Sequence, residues 1–139
     1  MTQAEIPLPE ITYDAIGYFT AAKEGRLELS RCSRCGEVFH YHRAFCPRCA
    51  SPDVEVFTAS GRGTVYTYTV VHRAPSPAFK DQLPYVLALI DTEEGARLFA
   101  RVNTADPNQV RIGSPVKAEY ESIGNDNVIV VFSVDEGGR

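Results

Sequence analysis

Apolar and polar positions divide the chain into three successive patterns. From Thr12 to Gly25, Ala15, Ile16, Phe19 and Ala22 recur at helical spacing; Thr12 fits an N-cap, Asp14 suits the first turn and Gly25 ends the run. One amphipathic helix is expected there, preceded by an extended arm, because Pro7 and Pro9 forbid helix over residues 1–11. Tyr18 beside Phe19 widens the apolar face, so the helix either packs on something besides the segment that follows or uses Tyr18 to cover that segment. Next, Leu27 and Leu29 flank Glu28 as one strand, and Val38, Phe39 and Tyr41 supply its return.

After Ser51-Pro52-Asp53 the pattern changes and stays β to the end. Gly61-Arg62-Gly63 is a turn, and the run from Gly63 to Arg73 is β-branched and aromatic, hence strand. Strands follow at Tyr85–Asp91, Ala96–Val102, Val116–Glu121 and Val128–Val134, with turns at Thr92–Gly95, Gly113–Pro115 and Gly124–Asn127. The segment Ala74–Pro84, with Pro75, Pro77 and Pro84, is too long for a hairpin turn and is a candidate functional loop. Five short strands joined without helices favour a small closed barrel, and five is the strand count of an OB-fold. The expected organisation is an arm and helix over 1–25, a metal ribbon over 26–56 and the barrel over 57–139.

The ribbon is read from its cysteines. Cys32-Ser33-Arg34-Cys35 and Cys46-Pro47-Arg48-Cys49 are two Cys-x-x-Cys knuckles, each aiming two thiolates at one point as tetrahedral zinc requires. Gly36, directly after Cys35, can take the positive φ such a knuckle needs. Disulfides are disfavoured, since the chain begins Met1-Thr2-Gln3 without an apolar targeting stretch and so reads as cytoplasmic and reduced. A thioredoxin-like redox pair would use one such motif beside a βαβ pattern. All four cysteines are consumed, leaving no open metal position for catalysis. His40 and His42 could compete as ligands, but four thiolates are the softer, sufficient set.

Composition narrows the function. The chain has 139 residues, is 44% hydrophobic and contains no apolar run near the ~20 residues of a membrane helix. Its formal net charge is −4, nearer −6 with four thiolates and one zinc counted, which argues against nucleic acid. Tyr66, Tyr68 and Tyr85 could in principle stack bases in an OB-fold nucleic-acid binder, yet aromatic positions in a barrel strand more often face the core. Five ribbon arginines, Arg26, Arg31, Arg34, Arg43 and Arg48, either compensate the thiolates or form an anion-binding surface. No nucleophile–base pair can be assembled, because His72 lies in a strand without an acid partner nearby.

Several ordered features carry a family resemblance: Leu27 ahead of Cys32-x-x-Cys35-Gly36, then Cys46-Pro47-x-Cys49, Ser60-Gly61-x-Gly63, Tyr68 to Val71, Pro84-Tyr85, Glu94-Gly95 and Ile112-Gly113-x-Pro115-Val116. Over nearly its whole length the chain resembles the DUF35 family, a rubredoxin-like zinc ribbon followed by an OB-fold. It departs at Tyr41-His42-Arg43, where members often carry Pro-Pro-Arg. The resemblance implies a non-catalytic partner of thiolase-superfamily enzymes, a group that includes thiolases, HMG-CoA synthases, aldolases and ketosynthase-like acyltransferases. It also implies structural zinc and a share in binding or channelling acyl-CoA. For a CoA contact the candidates are Phe79, Lys80, Pro84 and Tyr85: aromatic faces to cover adenine or pantetheine, and a lysine to meet phosphate. Equally, Phe79 and Tyr85 could cap the barrel or anchor the partner enzyme.

Overall fold

The computed structural model describes residues 7–124 and 126–135, so the first six residues of the expected arm and Asn125 of the last turn lie outside the described residues. A 3₁₀ turn, Tyr13–Ala15, leads into α1, Ile16–Lys23. Thr12 does not cap it; its hydroxyl donates to the Asp14 carboxylate instead. The C-terminus closes as expected, with the Gly25 and Arg26 amides donating to the Ala22 and Ala21 carbonyls and Gly25 at φ +75°. The buried face is Ala15, Tyr18, Ala21 and Ala22, while Ile16 remains 50% exposed. Of the expected stripe Ala15 and Ala22 are inside and Phe19 packs at the edge of the core, whereas Ile16 is not buried. Small side chains at 21 and 22 let the helix approach its neighbours closely, and Tyr18 fills the space beside them.

The ribbon is a three-stranded antiparallel sheet in the order β2-β1-β3, built from β1 (Leu27–Cys32), β2 (Val38–Phe39) and β3 (Val54–Ala59). β2 stops before Tyr41, and β3 pairs with β1 over its full length, from Leu27↔Ala59 to Cys32↔Val54. Its sequence was expected to be β, but not as a third ribbon strand, and it runs across residue 56, where the ribbon was expected to end.

The remaining strands are β4 (Arg62–Val71), β5 (Tyr85–Thr92), β6 (Arg97–Asn103), β7 (Pro115–Gly124) and β8 (Asn127–Val134). They run β4-β5-β6-β8-β7 and return to β4, the five strands of the OB-fold. The seam is thin. β6 and β8 pair in parallel only at Val102↔Phe132 and Asn103↔Ser133, and β4 meets β7 over Arg62–Thr64. A bulge between Val65 and Thr67 turns Tyr66 outward, where Arg97 stacks 3.5 Å from its ring centroid. The proline-rich segment is not open loop: Pro77–Gln82 forms a 3₁₀ turn.

One hydrophobic cluster runs through all three parts. Tyr18 and Ala22 of α1, Leu27 and Leu29 of β1 and Ala59 of β3 are continuous with Val65, Ile90, Leu98 and Phe132 of the barrel. The helix packs on both β1 and β8, so it joins the ribbon to the barrel.

Two predictions follow from this packing. A Cβ at Gly63 would sit 2.6 Å from the Asp91 carbonyl oxygen and 2.9 Å from Ile90 Cγ2 on the neighbouring β5, and backbone cannot step aside. Gly63→Ala should therefore cost about 1–3 kcal/mol in denaturant unfolding, against no loss for an alanine at exposed Ser122. The second concerns His40, which stacks on Tyr41 at 4.0 Å and meets the Tyr18 ring edge-on at 4.4 Å. Its Nε2 is buried without a partner among the described residues, and burial holds the imidazole down to about 4. Folded protein thus takes up this proton later than the unfolded chain, whose histidine titrates near 6.5. Stability conferred by neutral His40 is complete above about pH 6.5 and is lost as pH falls toward 4. His40→Phe keeps the stack, so unfolding measured from pH 7 to 5 should show the variant gaining ~1–2 kcal/mol on the parent at the acid end.

Candidate functional site

The first site is the cysteine cluster. β1 ends in Cys32, β2 follows the first knuckle, and the second knuckle returns through Ser51 and Asp53 into β3, so the sheet itself brings the two knuckles together. Two bonds fix the approach: the Cys32 amide donates to the Glu37 carbonyl, and the Ser33 amide to that of Asp53. Gly36 takes φ +81°, the conformation its place after Cys35 calls for. The four Sγ atoms all lie within 4.8 Å of one another, with Cys32–Cys49 and Cys35–Cys46 both at 3.6 Å. A regular tetrahedron with ~2.3 Å Zn–S bonds places sulfurs about 3.8 Å apart, so the donor set fits zinc.

Backbone amides support the anionic form. The Cys35 amide donates to Cys32 Sγ at 3.4 Å, and the Arg48 and Cys49 amides donate to Cys46 Sγ at 3.3 and 3.5 Å. The Cys35 amide is the main cause that draws the Cys32 thiol down to about 6. For Cys46 desolvation pulls upward, but the Cys49 and Arg48 amides win and the thiol lies below its ordinary value. The Glu37 amide lowers Cys35 too; desolvation and the neighbouring Cys46 and Cys49 thiols outweigh it and push Cys35 up to about 12. Cys32 is thus prepared as a thiolate, Cys46 is biased toward one, and Cys35 yields its proton to an arriving cation. His40 turns toward the aromatic rings of α1 and β2's end rather than joining this group.

The arginines divide. Arg31 pairs with Glu55 and lies over Phe57, Arg26 pairs with Glu24, and Arg43 acts electrostatically on Asp14. Arg31 is thus answered within the ribbon, and Arg26 and Arg43 by carboxylates of the helical segment.

The second site is a cavity of about 520 Å³ in the barrel wall, lined by Gln82, Pro84, Tyr85, Arg101, Asn103 and Glu121 among others. Its volume is in the range of small-molecule sites. Pro84 and Tyr85 were singled out in the sequence. Phe79 stands behind Tyr85, ring centroids 6.3 Å apart, and is partly buried; Lys80 is exposed on the 3₁₀ turn and does not line the cavity. Arg101 was missed. It lies beside the thin β6–β8 seam and ties β6 to β7 through Glu121, while also donating to Gln82 Oε1 and, at 3.0 Å, to Asn103 Oδ1. Of the three tyrosines considered for base stacking, Tyr68 packs against the core, Tyr85 lines this cavity and Tyr66 is half-exposed beneath Arg97.

Fold and site together define a zinc-ribbon protein with an OB-fold barrel. Residues 19–55 match the model described as "ChsH2, rubredoxin-like zinc ribbon domain", and residues 57–121 match "ChsH2, C-terminal OB-fold domain". Over 103 residues the chain is 44% identical to a "DUF35 domain-containing scaffold protein" of Methanocaldococcus jannaschii, covering 71% of this chain and 72% of that protein. The chain belongs to the DUF35 family. It is also 37% identical over 126 residues to a "Probable enoyl-CoA hydratase alpha subunit" of Thermomonospora curvata, covering 91% of this chain but only 39% of that protein's length. Among solved structures, one chain titled "Ltp2-ChsH2(DUF35) aldolase" superposes with a TM-score of 0.80 at 36% identity, covering 91% of this chain and 98% of that one.

If the four thiols hold the metal, purified protein should contain about one zinc per chain, and Cys46→Ser should reduce that several-fold. Because binding displaces the proton of the raised Cys35 thiol, zinc affinity should weaken steadily as pH falls from 8, and more steeply below about 6 where Cys32 also protonates. A chelator-linked dye titration across pH 5 to 8 reads both effects. Stoichiometric iron with a visible cluster spectrum would contradict the zinc assignment.

Proposed function

We propose that this chain is a non-catalytic accessory subunit of a thiolase-superfamily, CoA-dependent enzyme that makes or breaks C–C bonds. In this reading Cys32, Cys35, Cys46 and Cys49 hold one structural zinc, and the proline-rich edge carrying Phe79, Lys80, Pro84 and Tyr85 lies against acyl-CoA shared with the partner. The observation that carries it is the superposition on the DUF35 chain of an aldolase, which extends over 98% of that chain at 36% identity. Chemistry agrees. Four thiols in a closed tetrahedral set leave no metal position for substrate, and the cavity holds a charge-compensated arginine rather than an activated nucleophile.

The metal's role is architectural. Zinc binding to such knuckles is worth on the order of 10–16 kcal/mol in peptides, enough to fix a segment with so little core of its own. The arrangement supplies a preformed surface at little ordering cost.

Co-expression with a thiolase-superfamily subunit from the same organism tests this reading. The two should co-elute stoichiometrically in gel filtration, and omission of this chain should lower the partner's activity or solubility at least tenfold. Steady thiolysis or aldol cleavage by this chain alone, or failure of any such subunit to co-elute, would overturn it.

A further inference from the structure

The Arg101 cluster determines what the barrel cavity can recognise. A guanidinium has five donors and no acceptor. Its contacts with Gln82 and Asn103 must therefore be to their carbonyl oxygens, which Oε1 and Oδ1 are. Both carboxamides are thereby oriented, and each NH₂ group is left without a protein partner among the described residues. The fourth member is Glu121, whose carboxylate takes another Arg101 donor and neutralises its charge. An anion arriving here would find a cation already satisfied and a carboxylate beside it. Two fixed donors in an uncharged setting instead suit neutral carbonyl oxygens. Pro84 and Tyr85 add apolar surface along the same cavity.

We propose that this cavity takes the pantetheine arm of acyl-CoA, with the Gln82 and Asn103 NH₂ groups donating to its two amide carbonyls. The inference rests on the accessory-subunit reading and deepens it. Pantetheine combines two secondary amides with short apolar links, which matches two donors set beside Pro84 and Tyr85. About 520 Å³ accommodates such an arm, while the charged nucleotide end stays outside the cavity, on the side that Lys80 can reach.

The experiment uses the zinc-loaded full chain and two probes, pantetheine and adenosine 3′,5′-bisphosphate. Pantetheine should shift the side-chain NH₂ resonances of Gln82 and Asn103 in ¹⁵N spectra; the bisphosphate should leave them in place. Gln82→Glu and Asn103→Asp keep an acceptor for Arg101 but remove the outward donor, so each should weaken pantetheine about 3- to 10-fold. Absence of shifts with pantetheine at millimolar concentration, shifts by the bisphosphate alone, or unaltered affinity in both variants would each overturn the assignment. Co-elution of the wild-type chain with the thiolase-superfamily subunit is measured in parallel. Assembly without pantetheine shifts removes this inference and leaves the accessory reading standing, whereas absence of assembly removes the reading itself.

Discussion

Everything in the molecule depends on β1. Its last residue is Cys32, at the metal cluster; Leu27 and Leu29, with at most 1% of their surface exposed, anchor its other end in the core shared with α1 and the barrel. β1 is also the central strand of its sheet, paired with β2 on one side and β3 on the other. Its hydrogen-bonding groups are therefore answered within the protein, and a slip of one residue would move Leu27, Leu29 and Cys32 to the wrong faces together. The barrel's hydrophobic core thus sets the register of the strand that carries the first sulfur. A knuckle on an isolated hairpin would have no such reference.

The barrel has a corresponding weak point, and polar chemistry is placed there. Where the β6–β8 ladder shrinks to two residue pairs, backbone pairing no longer closes the wall. Arg101, Glu121, Gln82 and Asn103 bridge the gap with side chains. Side-chain bridges leave room between them that a continuous ladder would not, so the same thinning that weakens the seam opens the cavity. The cluster is only part-buried, so the amide hydrogens that Arg101 leaves unpaired can meet solvent or a ligand. Arg101 is at the centre of the cluster.

The cysteine site was legible in the sequence because its ligands sit two by two at a spacing that geometry makes meaningful on its own. Five barrel strands were legible because β-branched runs alternate with turn residues from Gly63 onward. For β3 only the β character after Pro52-Asp53 was legible; its pairing was not, since its partner, β1, lies 22 to 32 residues upstream. The helix face was legible in part: Ala15 and Ala22 are inside as expected, Ile16 is not. Ile16 and Phe19 are the more apolar pair, yet Tyr18 is inside because ribbon and barrel converge on that face. The Arg101 cluster had no sequence signal at all: Gln82, Arg101 and Glu121 are each about twenty residues apart and come from a turn and two strands that are not neighbours in the sheet.

These placements bear on why an accessory subunit would be built this way. On the proposed reading, a surface meeting another protein and a ligand would gain most from groups held in place beforehand, because each side chain ordered on binding costs roughly 0.5–1.5 kcal/mol. Zinc fixes the knuckles, which the core alone could not order. In the cavity, Arg101 plays the equivalent part for two amides, using the one property that distinguishes it from lysine, a rigid fork of donors that orients several acceptors at once. Lysine at position 101 would supply the same charge to Glu121 and leave the amides free to turn. The specificity of the cavity therefore lies in the guanidinium's geometry, and its charge serves chiefly to hold the seam.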